Sequence, residues 1–158
     1  MQDQDKIRQA VDVLNTEYAH CIDNDTLEAW PDFFVDDCEY QIIGRENVEA
    51  GLPAAVMFCD SRGMLVDRVV ALRKANVYPE HTSRHMVGNC LLLGVEGDVI
   101  RAEANYVVFQ TRLDGETKIF NAGKYVDEIV RVDGVLKFRR RACVYDTHRI
   151  QTLLVTPI

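Results

Sequence analysis

Trp30-Pro31-Asp32-Phe33-Phe34-Val35-Asp36-Asp37-Cys38-Glu39-Tyr40 reads as a short aromatic helix that turns through an acidic corner into a first strand. Upstream, Ile7, Val11, Leu14, Tyr18 and Cys21 or Ile22 recur at spacings of three and four, which places them on one face of a helix. Asp3 or Asp5 can cap its start, and it should end near Asp23-Asn24-Asp25. A second helix then opens with Asp25 as N-cap and Glu28 three residues later, close to a capping box. Pro31 lies too far inside that helix to be ideal, so the helix should be short or bent. Two helices feeding one strand before a run of hairpins predict a curved sheet wrapped around helices. Such an architecture can hold an enzyme pocket or serve purely as a scaffold.

Downstream, residues 39–43 read as the strand itself, and 44–58 as irregular chain punctuated by Gly44, Gly51 and Pro53. Asp60 or Ser61 can cap a third helix carrying an apolar row of Leu65, Val69 and Leu72, which residues 76–80, with Pro79, should end. From His85 the pattern becomes extended. Residues 86–95, 99–113, 117–132 and 135–146 form four runs rich in β-branched and aromatic side chains, parted by Glu96-Gly97-Asp98, Asp114-Gly115 and Asp133-Gly134. Asp-Gly between such runs signals a hairpin, because Gly accepts the positive φ of a tight turn. Ile100, Ala102, Ala104, Tyr106 and Val108 alternate cleanly with Arg101, Glu103 and Asn105, and the small residues among them suit a concave inner face. Gly123 is the expected bulge site. The class is α+β, helices first and then an antiparallel meander, in one domain over residues 1–158.

Composition narrows the function. The chain has 158 residues, 47% of them hydrophobic, enough for one domain with a real core. A net charge of -7 argues against a nucleic-acid partner, which would need a basic patch. The basic cluster Arg139-Arg140-Arg141 lies in a strand run, where alternation should divide it between two faces. No stretch reaches the roughly 18 to 20 apolar residues of a membrane span. The first residues have no signal-peptide pattern. Five scattered cysteines (Cys21, Cys38, Cys59, Cys90, Cys143) then favour buried, reduced thiols and a cytoplasmic location.

Chemistry-bearing motifs are sparse. There is no dinucleotide fingerprint, Walker loop, His-Glu-x-x-His or nucleophile elbow. Paired Cys-x-His and Cys-x-x-His elements are absent, so the chain has no Rieske ligand set. His81 and His85 have metal-like spacing only if helical, and four strand residues span roughly 13 Å, too far to share an ion. Asp36 and Asp37 read as a solvated turn. Asp23, Asp146, Tyr18, Tyr40, Tyr106 and His85 are the residues that could line a cone between helices and sheet, where an Asp-His-Tyr set can do acid–base chemistry.

Ordered blocks give more. Tyr18-Ala19, Ile22-Asp23, Trp30-Pro31-Asp32-Phe33-Phe34, Asp37-Cys38 and Tyr40 begin the series. Arg45-Glu46-Asn47, Gly51-Leu52-Pro53, Met64-Leu65-Val66-Asp67-Arg68-Val69, Arg84-His85-Met86-Val87-Gly88, Phe120-Asn121-Ala122-Gly123-Lys124-Tyr125, Cys143-Val144-Tyr145-Asp146 and Pro157-Ile158 continue it. Together they resemble the small (β) subunit of bacterial aromatic-ring-hydroxylating oxygenases, in the branch of salicylate 5-hydroxylase and terephthalate dioxygenase. The resemblance implies a cone-shaped fold like nuclear transport factor 2 (cystatin-like) and an α3β3 hexamer in which small subunits form a trimer beside large (α) subunits. It implies that the Rieske [2Fe-2S] cluster and mononuclear Fe(II) lie on the large subunit, with NAD(P)H electrons arriving through a separate reductase. No catalytic, metal or cofactor residue is then expected on this chain. Arg84 and His85 at a strand start, with Tyr145 and Asp146, are candidate interface anchors or internal hydrogen-bonding groups, and Arg139 or Arg141 are candidate contacts. Two other functions fit the same fold: a free-standing dehydratase or isomerase using an Asp/His pair, and a small-ligand binding module.

Overall fold

The computed structural model describes residues 2–75, 80–147, 154 and 156–158. Helix α1 (Gln2–Asp23) leads to a 3₁₀ helix (Leu27–Phe33) and strand β1 (Phe34–Gly44). Helix α2 (Arg45–Glu49), β2 (Ala55–Cys59) and α3 (Arg62–Lys74) follow. The remaining strands are β3 (His81–Val87), β4 (Leu91–Glu96), β5 (Val99–Arg112), β6 (Thr117–Val132) and β7 (Val135–Tyr145).

The strands form one curved, open sheet in the order β2-β1-β7-β6-β5-β3, with β4 also paired to β5. The architecture is the expected α+β cone, although the sheet is not wholly antiparallel. Strand β1 runs parallel to β7, and the chain passes from the first strand through α2, β2, α3 and strands β3 to β6 before β7 returns beside it.

Local chemistry explains most boundaries. Val11, Leu14, Tyr18, Cys21 and Ile22 form the buried face of α1, as their spacing predicts. The Ser61 side chain caps α3 by accepting the Met64 N–H at 3.2 Å. Asp133-Gly134 closes the β6–β7 hairpin with φ of 50° and 82°, the left-handed pair a two-residue turn requires.

Other boundaries differ from expectation. The second helix is 3₁₀, with Thr26 rather than Asp25 at its N-cap and no side-chain cap. Asp25 is itself left-handed (φ 56°), and Glu28 is held by Arg73. Residues 44–58 are not irregular but contain α2 and β2, which pairs with β1. The 86–95 run is two strands. His81–Val87 pairs with the far half of β5 and Leu91–Glu96 with its near half. The break is held by the Gly88 N–H on the Asn105 carbonyl and the Cys90 N–H on Asp12 Oδ1, each at 2.8 Å or less. Arg84 and His85 therefore sit mid-strand, not at its start. Helix α3 ends at Lys74 with Ala75 as its C-cap, just before the segment 76–80 expected to end it, of which residues 76–79 lie outside the described residues.

Gly123 has a different role from the expected bulge. The register between β5 and β6 slips at Phe120, not at Gly123. A Cβ on Gly123 would lie 2.0 Å from the Val144 carbonyl oxygen and 2.7 Å from Tyr145 Cα, so glycine is needed for β6 and β7 to approach.

Candidate functional site

The inside of the cone is lined by α1, the 3₁₀ helix and the inner faces of β1, β5, β6 and β7. Trp30 is fully buried, with ring centroids 5.1 Å from Tyr40 and 5.7 Å from Phe34 in edge-to-face geometry. Phe34 lies 5.4 Å from Phe138, which lies 5.6 Å from Tyr18. The aromatic corner thus joins helix to sheet.

A charged pair sits within these rings. Arg141 has no exposed surface, and its guanidinium meets Asp127 in a two-pronged contact, Nε to Oδ1 at 2.9 Å and Nη2 to Oδ2 at 2.7 Å. Nη2 also donates to Asn15 Oδ1 on α1. The guanidinium carbon stands 3.8 Å from the Tyr125 ring centroid, 3.9 Å from Phe138 and 4.4 Å from Tyr18, a threefold cation–π enclosure. Burial would lower the Arg141 pKa, but the charge and hydrogen bonds of Asp127 outweigh it, so the arginine stays charged. Burial holds the Asp127 carboxyl above its usual value, with Arg141 opposing.

Arg141 is therefore no surface contact. The cluster is divided between two faces as expected, but not by simple alternation: the β6–β7 register slips between the Glu128–Arg140 and Ile129–Phe138 pairs, leaving Arg139 as an extra residue. That bulge makes Arg139 and Arg140 both exposed and turns Arg141 inward three residues after the buried Phe138. Arg140 pairs with Glu39 at 2.9 Å on the outer face.

The six polar residues proposed to line the cone fall into separate groups. Asp23 and His85 do meet: Nδ1 lies 2.6 Å from Oδ1, the His85 N–H donates to Oδ2 at 2.7 Å, and both side chains are buried. This pair pins the last residue of α1 to β3. Nε2 of His85 has no hydrogen-bond partner among the described residues. Tyr106 turns elsewhere, donating to Asn121 at 2.6 Å, with its ring stacked 4.5 Å from Tyr125. Asp146 is at the rim, 3.3 Å from Arg45 Nη1 and beside half-buried Tyr145 in a cleft of about 190 Å³.

Tyr18 and Tyr40 converge on Ile158, which is 1% exposed. The Ile158 main-chain oxygen accepts from the Tyr18 hydroxyl at 2.7 Å and the Tyr40 hydroxyl at 3.1 Å, with Cys143 Sγ 3.3 Å away. The Ile158 N–H donates back to the Tyr40 hydroxyl at 2.9 Å. Burial raises the pKa of both phenols and pushes the Cys143 thiol up to about 12. Nothing in the family-like blocks marks Ile158 as a neighbour of Tyr18, 140 residues away in sequence.

The described residues offer no metal centre: no three His, Cys, Asp or Glu side chains are placed to hold an ion. All five cysteines are free and buried. Among the described residues no helix is long and apolar enough to cross a membrane.

The family model of the ring-hydroxylating β subunit matches residues 17–152, spanning α1 through β7. The chain belongs to this family. The β subunit is 46% identical over 146 residues to the anthranilate 1,2-dioxygenase small subunit of Burkholderia cepacia, covering 92% of this chain and 91% of that protein. It is 38% identical over 148 residues to a β subunit of the terephthalate 1,2-dioxygenase terminal oxygenase from Comamonas sp., covering 92% and 94%. A crystal structure from Novosphingobium aromaticivorans, assigned as the β subunit of an aromatic-ring-hydroxylating dioxygenase, superposes with a TM-score of 0.91. It shares 59% identity over 98% of this β subunit and 99% of that chain. The cone fold and the small-subunit reading of the ordered blocks both stand. A β subunit of a multicomponent oxygenase implies a large-subunit partner.

Proposed function

We propose that this β subunit is the assembly-holding, non-catalytic part of a terminal oxygenase that hydroxylates an aromatic carboxylate. Its large partner would carry the Rieske cluster and the mononuclear iron, in an α3β3 hexamer fed from NAD(P)H by a separate reductase. The observation that carries this reading is the filled interior of the cone. Arg141, Asp127 and Asn15 hold one another and the Tyr18 and Tyr40 hydroxyls hold Ile158, so protein rather than substrate occupies the centre of the cone, although His85 Nε2, Trp30 Nε1, Arg141 Nη1 and the Tyr125 hydroxyl have no partner among the described residues. The relatives named for anthranilate and terephthalate support the substrate class. Five buried free thiols suit a reducing compartment, and we place the complex in the cytoplasm.

The interface is proposed to use the exposed members of the candidate set, Arg84, Arg139 and Asp146, with half-buried Tyr145 beside Asp146 at the rim. Arg84 shares the outer face of the sheet with Met86 and Leu91, which are 64% and 61% exposed, an apolar surface suited to a neighbouring subunit. His85 and Arg141 act from within, as internal supports. Co-expression with the neighbouring genes should yield a coloured, iron-containing large partner bound to this chain. In intact hexamers, Asp23→Asn and His85→Ala should reduce assembly or stability while single-turnover rates stay unchanged. A colourless homo-oligomer whose own activity disappears in those variants would overturn the reading.

A further inference from the structure

We propose that the interior of the cone is a socket for a short apolar peptide segment, and that residues Thr156–Ile158 are its internal ligand. The socket is built from groups that are themselves wholly buried: the Tyr18 and Tyr40 hydroxyls, the Cys143 thiol and the Trp30 ring. Its polar pattern is specific. Two phenol O–H groups converge on one acceptor oxygen, at 2.7 and 3.1 Å, while the Tyr40 oxygen accepts an N–H at 2.9 Å. An acceptor oxygen and an N–H on one residue is the signature of peptide main chain, not of a hydrocarbon or a cation. Pro157 lines a small gap with Trp30, Leu27, Met57, Val69 and Leu72, so the segment also bears on the helix–sheet junction. Tyr18 reaches from α1, Tyr40 from β1 and Cys143 from β7, so one residue bridges three elements. Occupied from within, the cone is closed to other molecules of the same chemistry.

Trp30 is the single tryptophan of the chain and reports on the socket directly. Removing Pro157 and Ile158 from the otherwise full chain should red-shift Trp30 emission. Adding the tripeptide acetyl-Thr-Pro-Ile should reverse the shift saturably, whereas acetyl-Thr-Pro-Asp should not. A shortened chain that keeps its emission, or that folds but ignores the tripeptide, overturns the proposal. A shortened chain that fails to fold is covered by Tyr40→Phe in the full chain, which removes only the hydroxyl. There the Ile158 amide should exchange its hydrogen about tenfold faster than in the parent, as expected for losing one or two ordinary hydrogen bonds. Unchanged exchange overturns the proposal. Because these readouts use the β subunit alone, they are independent of whether the large subunit co-purifies.

Discussion

Two arginines of this β subunit each grip carboxylates, in opposite surroundings. Arg141 and Asp127 are 0% and 1% exposed inside the cone and are enclosed by three aromatic rings. Arg73 binds Asp25 and Glu28 on the surface, where the two carboxylates are 69% and 66% exposed. The surface cluster has more hydrogen bonds, with Arg73 reaching both Asp25 oxygens, both Glu28 oxygens and the Asp25 carbonyl. Bond count is nevertheless a poor guide to consequence. Water can take over any lost partner of Arg73, whereas nothing can replace Asp127 for a guanidinium that solvent does not reach.

The largest expected effect comes from breaking the inner pair on one side. Asp127→Asn or Arg141→Met leaves a buried charge uncompensated and should cost about 3–5 kcal/mol, a fall of roughly 10 °C or more in the melting temperature. The double variant Asp127→Leu/Arg141→Met should recover most of that loss, since two apolar side chains need no partner. Melting curves of the three variants check this, and a double variant as unstable as the singles would show that the pair adds more than mutual neutralisation.

Next comes the approach of the strands that present the pair. Asp127 and Arg141 are direct cross-strand partners, and Gly123 and Tyr145 pair four residues further along the same two strands. Gly123→Ala would put a methyl against the Val144 carbonyl and should cost about 3 kcal/mol or more. Since β6 and β7 must part to admit it, the variant should also loosen the pair. Hydrogen exchange slowed at Arg141 in the parent and accelerated in Gly123→Ala would demonstrate the link.

How much of this was legible in the sequence follows from what is local. The buried face of α1 and the alternation of β5 depend on spacing within one element, and both were readable. The Asp133-Gly134 turn depends on two adjacent residues and was readable too. The place of Arg141 was not, because it depends on Arg139 bulging against β6, a matter of pairing between strands. The parallel β1–β7 contact and the seat of Ile158 are likewise settled by elements more than a hundred residues apart. The ordered blocks marked the family correctly, but they do not include Arg141, and the preference for arginine at interfaces made it a candidate surface contact. Only packing moves it inside.

An alkaline titration sharpens the comparison from the inner side. Burial raises the Cys143 pKa to about 12 from an ordinary value near 9.0. A group whose folded pKa is raised stabilises fully below its unfolded pKa and loses that contribution as pH climbs through the folded one. Stability should therefore decline from about pH 9 towards 12, with Tyr18 and Tyr40 adding the same sign as phenols in the unfolded chain begin to ionise. Denaturant melts from pH 8 to 11 should slope downward, less steeply in Cys143→Ala. Below pH 9 the native chain should react with thiol reagents only slowly.

The smallest effect belongs to the outer cluster. The hydrogen bonds from Arg73 hold Glu28 at about 2, below the ordinary 4.5. A depressed acid stabilises above its unfolded pKa and loses that contribution as pH falls through the folded one. The Glu28 contribution should therefore vanish between about pH 4.5 and 2. Because the carboxylate is exposed, water and salt compete for the same charges. Arg73→Ala should barely move the melting temperature at pH 7 in 0.5 M salt, with a somewhat larger shift at low salt. The inner-pair variants should keep their full deficit at both salt concentrations, since mobile ions do not enter the cone. A salt-independent loss in Arg73→Ala would mean that Arg73 works by packing its stem between α3 and the 3₁₀ helix, and the contrast between the two arginines would then be one of contact rather than of charge.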